Sequence, residues 1–471
     1  MSTNVRVRFA PSPTGPFSIG NARTALFNWL FAKHEKGEFF LRIEDTDKER
    51  SKKKYEKEII DGLTWLGLAW DGEISRQSER EPIYKNYLEK LLNDRHAYWC
   101  FCSASELEIE RQAQLSQGLP PRYSGRCRNL PHEETVKRLK KESAIIRFKT
   151  PEKIVAFNDL VRGHVEVNSA LLGDMVIAKS LTEPLYNFAV VIDDYEMKIS
   201  HVIRGEDHLP NTPKQILIQE VLSLPTPIYA HLPLILGPDR KKLSKRYLDY
   251  SLTDYEKDGY LAQAMLNFLV LMGWHPEKDR EILTVSEMIN EFSLKRVQKS
   301  GAIFNPQKLD WLNGTALRAI TGGELVTALK PFLPKDWLKD NNFLEKVVNL
   351  TKDRVKKLGD FKTLAEFFFE LPKYPKELLI WKETAPEITA ENLKFVLRII
   401  ENLSTDKFIK IDIEKDLLPL AETRGRGEVL WPLRVALSGK DASPGPVELL
   451  EIFGQKESAS RIKKAIKKLE G

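Results

Sequence analysis

Cysteine is nearly missing from this chain: only Cys100, Cys102 and Cys127 occur among 471 residues. So few, and an odd number, argue against a disulfide framework and for a reducing compartment. Long apolar runs are missing as well. The greasiest stretch, "YLAQAMLNFLVLMGW", is interrupted by Gln263 and Asn267, so it reads as a buried helix and not a membrane span. The opening "MSTNVRVRF" has no apolar signal region, and the expected location is the cytoplasm, away from membranes. There is no internal repeat, no low-complexity tract, and neither a G-x-x-x-x-G-K-[ST] nor a G-x-G-x-x-G run. Charge of one sign does not dominate: 73 Lys and Arg stand against 67 Asp and Glu, a net charge of +6. That mild excess permits an RNA partner without requiring one.

What is present suits a globular chain, with 42% hydrophobic and 30% charged residues and a length that suggests two to four domains. "VRVRF" (5–9) alternates as a short strand. The prolines of "APSPTGP" stop it, since they remove ladder donors. From Ile19 a helix is expected, with Ala22, Ala25, Leu26, Trp29 and Leu30 forming one apolar face and Gly37 ending it. "FFLRIED" (39–45) is the next strand. Strand, helix and strand at this spacing make a parallel crossover unit of a doubly wound sheet. Residues 75–180 read as an insertion. "YNFAVVIDDYEMKISHVIRGEDH" reads as a hairpin turning at Asp193 and Asp194. A helix with Pro213 in its first turn follows, and then a buried strand, "PLILG". Beyond about residue 250 the pattern is helical.

Four stretches carry candidate chemistry. Pro11–Thr24, "PSPTGPFSIGNART", joins a strand end to a helix N-terminus, where free N–H groups and the helix dipole favour an anion. Gly15 and Gly20 permit close backbone approach. The other reading is an ordinary strand-to-helix loop. "KKLSKR" (241–246) clusters cations around Ser244, suited to a polyphosphate or simply a solvated charge run. In "RIEDTD" (42–47), Glu44 and Asp45 suit an ammonium, a ribose or a hydrated metal, or else form an acidic turn capping a helix. "HVIRGEDH" (201–208) sets Arg204, Glu206, Asp207 and His208 at a strand end, where open sheets collect ligands.

In this order, "RFAPSPTG", "SIGN", "RIEDTD", "YNFAVVIDD", "VIRGEDHLPNTPKQ" and "KLSKR" resemble the catalytic domain of a bacterial-type glutamyl-tRNA synthetase, a class I aminoacyl-tRNA synthetase. "GAIFNPQKLDWLNG" and "GEVLWPLRVALSGKDASPGPVELLEIFG" extend the resemblance over nearly the whole chain, to the stem-contact and anticodon-binding regions. The resemblance implies an α/β, Rossmann-type catalytic domain with an inserted α+β acceptor-binding domain, followed by an all-α C-terminal half. The implied boundaries are 1–80 and 186–250 for the two catalytic segments, 81–185 for the insertion, 251–318 for the stem-contact domain and 319–471 for the anticodon-binding domain.

It further implies a ligase acting on glutamate, ATP with Mg²⁺, and tRNA(Glu), as a monomer. Arg8, Ser12, Glu44, Tyr186 and Arg204 are similar to the glutamate-binding positions. Ser18, Gly20, Asn21, Lys242, Ser244 and Lys245 are similar to the ATP-binding ones, with Lys242, Lys245 and Ser18 at the catalytic positions. Cys100, Cys102, Tyr123 and Cys127 resemble a structural Zn²⁺ site of some members; three reduced thiols are the alternative. Some relatives use a histidine where Asn129 stands here, and His132 is close in sequence. Arg424 and Arg426 are candidate tRNA contacts, or solvated loop charge.

Two departures stand out. Ser18-Ile19-Gly20-Asn21 occupies the place of the family's "HIGH" signature, so one imidazole donor is replaced by a shorter hydroxyl that cannot become cationic. Loss of such a donor is expected to slow activation by up to roughly 10²–10³-fold, unless a water or neighbour substitutes. "YLDY" follows the lysine loop where relatives carry "HGA". The alternative is therefore a tRNA-binding pseudo-synthetase. The helical tail argues against a glutaminyl-tRNA synthetase, and its presence against the shorter paralogue that modifies a tRNA base.

Overall fold

The structure is a computed structural model that describes residues 4–241, 250–404 and 407–471. Two compact units result, one formed by Met1–Glu256 with Ala262–Leu309, the other by Lys257–Leu261 with Asp310–Gly471. No helix among the described residues is long and apolar enough to cross a membrane.

In the first unit, strand β1 (Arg6–Phe9) leads through the proline-rich loop into α1 (Ile19–His34) and back to β2 (Glu38–Ile43). β1 and β2 pair in parallel, as the crossover reading requires. α1 differs from expectation in being enclosed on all sides. Every residue from Ala25 to Ala32 is buried, so it has no solvent face. Its end also has a different cause. Lys36, at φ 54°, takes the left-handed position. Gly37 is needed for close approach, because a Cβ there would stand 2.2 Å from the Val5 carbonyl oxygen. The glycine therefore fixes how closely α1 returns to β1.

Next come α2 (Lys53–Trp65), β3 (Ser75–Arg76), α3 (Glu81–Asn93), β4 (Ala97–Cys100), α4 (Ala104–Ser116) and α5 (His132–Leu139). They are followed by β5 (Ile145–Phe148), β6 (Ile154–Asp159), β7 (Gly163–Asn168), β8 (Val176–Ser180) and β9 (Glu183–Pro184). β4, β5, β8 and β9 form an antiparallel sheet. β6 and β7 do not join it. They extend a second sheet with β10 (His201–Gly205) and β11 (Ile228–Leu232), in the order β10-β11-β6-β7. Thus part of the inserted segment is built into the sheet that carries "HVIRG".

Two expectations fail here. "YNFAVVIDDYE" is not a hairpin strand but helix α6 (Tyr186–Glu196), with Asp193 and Asp194 buried inside it. A short apolar run with β-branched residues reads equally as strand or enclosed helix, and enclosure decides. "PLILG" is no buried strand either. Only Ile235–Leu236 is extended, and both are half-exposed. The buried strand is β11, which precedes it. Helix α7 (Thr212–Val221) does carry Pro213 in its first turn.

The second unit is helical, with a core that includes Leu344, Val347, Phe361, Leu393, Leu433, Leu449 and Ile462, each essentially inaccessible. "ENLKFVLRIIENL" lies within the helix Pro386–Asn402. "ASRIKKAIKKLE" lies within Pro446–Glu470, which kinks at Gly454.

Candidate active site

The carboxyl ends of β1, β2 and β10 open into a cavity of about 800 Å³. Its walls include Arg8, Ser12, Glu44, Tyr186 and Arg204, the full set of expected amino-acid contacts, together with Gly20 and Asn21. β1 and β10 are tied at their bases, where Ser200 N donates to Arg6 O. The strand order thereby brings residues 8, 44 and 204 to one rim.

Beneath that rim lies a layer of charge. Arg8 donates to Asp194 through Nε (3.0 Å) and Nη2 (3.4 Å). Arg42 is wholly buried. It donates to Asp194 through Nη1 (2.7 Å) and to Glu44 through Nη2 (2.9 Å). Asp193 accepts from Gln77 Nε2 and Arg80 Nε, both at 2.7 Å, and from the Tyr84 hydroxyl at 2.9 Å. Burial works against ionisation of Asp194, but Arg8 and Arg42 outweigh it and hold the carboxyl below its usual range. Glu44 goes the other way. Burial raises it despite Arg42, whose charge is divided among Glu44, Asp193 and Asp194. Sequence reasoning missed this layer. Its signal was the acidic pair inside "FAVVIDDYE", a costly place for charge unless arginines meet it.

The opposite wall is built around Arg204, which is 6% exposed. Its Nη2 donates to Thr212 Oγ1 (2.9 Å) and Gln215 Oε1 (2.8 Å), its Nη1 to the Tyr186 hydroxyl (3.4 Å), and its Nε to His231 Nε2 (3.2 Å). The Tyr186 hydroxyl also bonds His208 Nδ1 at 2.9 Å. Burial and the neighbouring Arg204 lower His208 to about 4, so its imidazole is neutral near pH 7.

Other expected residues divide. Asp45 is taken by Ser78, whose N (2.8 Å) and Oγ (2.6 Å) both donate to it, so it acts within the protein. Glu206 accepts from Leu234 N and pairs with Arg162. Asp207 and His208 line the cavity. Ser18 is the N-cap of α1, its Oγ accepting from Asn21 N at 3.4 Å. A Cβ on Gly20 would meet only ordinary contacts, Ser18 Oγ at 3.8 Å and Ile235 Cδ1 at 3.9 Å. The protein's own packing thus does not require glycine there. Lys242, Ser244 and Lys245 lie outside the described residues.

In the insertion, the Sγ atoms of Cys100, Cys102 and Cys127 lie within 4.8 Å of one another. The Tyr123 hydroxyl stands 3.4 Å from Cys100 Sγ and 3.5 Å from Cys102 Sγ, and it accepts from Cys127 N at 2.9 Å. Ligands around one tetrahedral Zn²⁺ would have sulfurs about 3.8 Å apart, and Cys102 and Cys127 are separated by 3.6 Å. The cluster can hold a metal ion. His132 begins α5 and is not part of this group.

In the helical unit, Arg424 is committed internally. It donates to Asn392 Oδ1 (2.9 Å) and Glu391 Oε1 (3.1 Å) and lies over the Phe395 ring at 4.1 Å. The Arg426 side chain is largely exposed beside Glu422.

Comparison with known proteins agrees with this architecture. Residues 4–311 match the family model "tRNA synthetases class I (E and Q), catalytic domain", and residues 324–466 match "Anticodon binding domain". "Glutamate--tRNA ligase 1" of Caldanaerobacter subterraneus subsp. tengcongensis is 41% identical, with 100% of this chain and 99% of the relative covered. "Glutamate--tRNA ligase" of Sulfurihydrogenibium sp. is 44% identical over 95% of this chain and 96% of its own. A crystal structure of a glutamate tRNA ligase from Elizabethkingia meningosepticum in complex with its amino acid superposes with a TM-score of 0.90 at 38% identity, covering 99% of this chain and 100% of that one. With both parts matched and relatives this similar along nearly their whole length, the chain belongs to the glutamate–tRNA ligases, aminoacyl-tRNA ligases within the class I tRNA synthetases for E and Q.

Proposed function

We propose that this enzyme selects glutamate, activates it with ATP and esterifies it to the 3′-terminal adenosine of tRNA(Glu). The observation that carries glutamate over glutamine is the charge balance of the pocket. The cavity wall carries Arg8, Arg23, Arg50 and Arg204 against Glu44, Asp47 and Asp207, beneath it Arg42 and Asp194 cancel, and Asp193 is offset by Arg80. One positive charge is left over. Glutamate, with two carboxylates and one ammonium, supplies the matching negative charge; glutamine is neutral overall and does not.

Among the described residues, Arg8 Nη1 donates to no group, so one edge of its fork is open for the substrate's side-chain carboxylate. Glu44 and Ser12 suit the ammonium. Tyr186 and Arg204 close the far wall. The α-carboxylate oxygen then attacks the α-phosphorus of ATP and pyrophosphate leaves. Gly20 and Asn21 leave room for the nucleotide, and Lys242, Ser244 and Lys245 are assigned to its phosphates, with Mg²⁺ carried by the nucleotide. A ribose hydroxyl of the terminal adenosine next attacks the acyl carbon, releasing AMP.

Ser18 supplies a cap to the Asn21 N–H where the family signature has an imidazole, so the open approach at Gly20 and the lysine loop are assigned the activation step. Cys100, Cys102, Cys127 and Tyr123 would hold a Zn²⁺ whose contribution is to fold the insertion, apart from the reaction. The domain boundaries inferred from the resemblance are retained: catalytic at 1–80 and 186–250, acceptor-binding at 81–185, stem-contact at 251–318, anticodon-binding at 319–471. Arg426 is the better placed of the two arginine candidates for tRNA, and the enzyme is taken to act in the cytoplasm as a monomer.

The test is charging of purified tRNA(Glu) and tRNA(Gln) with labelled glutamate or glutamine, with Ser18→His in parallel. Esterification of glutamate by the serine form is expected, with faster activation in the histidine form, up to roughly 10²–10³-fold. If both forms bind tRNA and neither charges it, the chain is a tRNA-binding pseudo-synthetase.

A further inference from the structure

Behind Arg204 lies a buried chain that the pocket itself does not explain. His231 on β11 and Asp159 at the end of β6 have side chains with no solvent exposure. His231 Nδ1 stands 2.6 Å from Asp159 Oδ2, and its Nε2 faces Arg204 Nε at 3.2 Å. The protonation pattern follows from the partners. A guanidinium N–H can only donate; Thr212 Oγ1, 3.1 Å from the same Nε2, accepts from Arg204 Nη2 and can give its own proton to His208 O, which leaves Nε2 to accept from Arg204 Nε, so that Nδ1 carries the proton and donates to Asp159. Asp159 is itself fixed, accepting the backbone N–H groups of Val161, Arg162 and His231. A carboxylate held by the backbone thus selects one imidazole tautomer, and that tautomer offers its lone pair to the arginine.

We propose that Asp159 and His231 are positioning residues: they orient the Arg204 guanidinium toward the glutamate pocket and tie that orientation to the inserted strand pair β6–β7. The proposal rests on the reading of Arg204 as a wall of the glutamate site. The tie to the insertion is structural. β6 meets β11 at a single register pair, Asp159 opposite Tyr229. Three residues on, Arg162 pairs with Glu206 and donates to Lys299 O. The turn between β6 and β7 therefore reaches Arg204 through His231, and holds Glu206, next to the cavity residues Gly205 and Asp207, through Arg162. A shift of this turn moves the acceptor that faces Arg204 Nε.

The test measures KM for glutamate, ATP and tRNA separately in Asp159→Asn, His231→Gln and His231→Leu, with Arg204→Lys as reference. Asparagine at 159 can turn its amide N–H toward Nδ1 and reverse the tautomer, facing an N–H against Arg204. A rise of about tenfold or more in KM for glutamate is expected, of the order seen when a ligand's outer partner is removed, with ATP and tRNA values unchanged. His231→Gln, which keeps an acceptor toward Arg204, should recover part of what His231→Leu loses. Asp159→Asn placed on Arg204→Lys should add nothing further. Equal effects on all three substrates, or full additivity with Arg204→Lys, overturn the relay. If Arg204→Lys itself leaves KM for glutamate unchanged, the pocket assignment falls and the relay with it. Independently of any variant, histidine ¹⁵N spectra of the intact protein should give the Nδ1–H tautomer for His231; the Nε2–H form overturns the proposal.

Discussion

The two units spend buried polarity in opposite ways. The first buries Arg8, Arg23, Arg42, Glu44, Arg147, Asp159, Asp174, Asp193, Asp194 and Arg204, while among the described residues of the second Arg461 is the one fully buried charge. Their arginines differ in what satisfies them. Arg42 is met by three carboxylates. Arg461 is met by one half-exposed carboxylate, Glu457 (2.7 Å), donates to the carbonyls of Phe367 (2.7 Å) and Leu437 (2.6 Å), and leans on the Phe453 ring at 3.9 Å. Buried ions are an expensive way to stabilise a fold. Where many are gathered at strand ends around a cavity they serve chemistry; where one is wrapped in carbonyls and aromatic rings it serves packing.

Replacing each hub with methionine sharpens that contrast most. Arg42→Met strands Asp194, Asp193 and Glu44 and should cost roughly 3–5 kcal/mol and abolish charging. Arg461→Met strands neutral carbonyls and a Glu457 that water can still reach, and should cost about 1–3 kcal/mol with glutamate KM unaffected. Urea unfolding and charging assays read both; equal costs would remove the distinction. Within the first unit, Asp194 and Glu44 should part company at pH 7. The depressed Asp194 contributes stability present above its unfolded value near 3.8 and lost as pH falls through its folded value. The raised Glu44 has the opposite sign, favouring the fold at low pH and opposing it above. Asp194→Asn should therefore melt below the parent at pH 7 and converge with it in acid, whereas Glu44→Gln melts at or above the parent while losing glutamate binding. Chelation, or Cys127→Ala, should loosen the segment around Tyr123 in hydrogen exchange and leave the helical unit protected. The smallest effects are expected at Arg424 and Arg426. Arg424→Ala loses a cation–π contact worth about 1 kcal/mol; Arg426→Ala leaves the melting point unchanged and weakens tRNA binding in a salt-dependent way.

Part of the pocket was legible because its residues sit at strand ends in short motifs: Glu44 and Arg204 stand out in that way, Arg8 came with the family resemblance, and the three share one cavity. The three cysteines were legible from spacing, and they do cluster. What supports the pocket was not. Asp193 and Asp194 looked like turn residues because the sequence around them is equally apolar as helix or strand; only partners far away in the chain, Arg8 and Arg42 for Asp194 and Gln77, Arg80 and Tyr84 for Asp193, make that burial tolerable. His231 sat unremarked in "IYAHL", since its partners are 27 and 72 residues distant. Arg424 looked like an RNA contact until its rings and amides were in place.

Arg8 holds Asp194 with one edge of its guanidinium, so the pocket wall supplies a resident anion of its own. An incoming carboxylate does not meet a bare cation. It competes for, or shares, a charge that is already compensated, and only a ligand able to form a second ionic edge gains by entering.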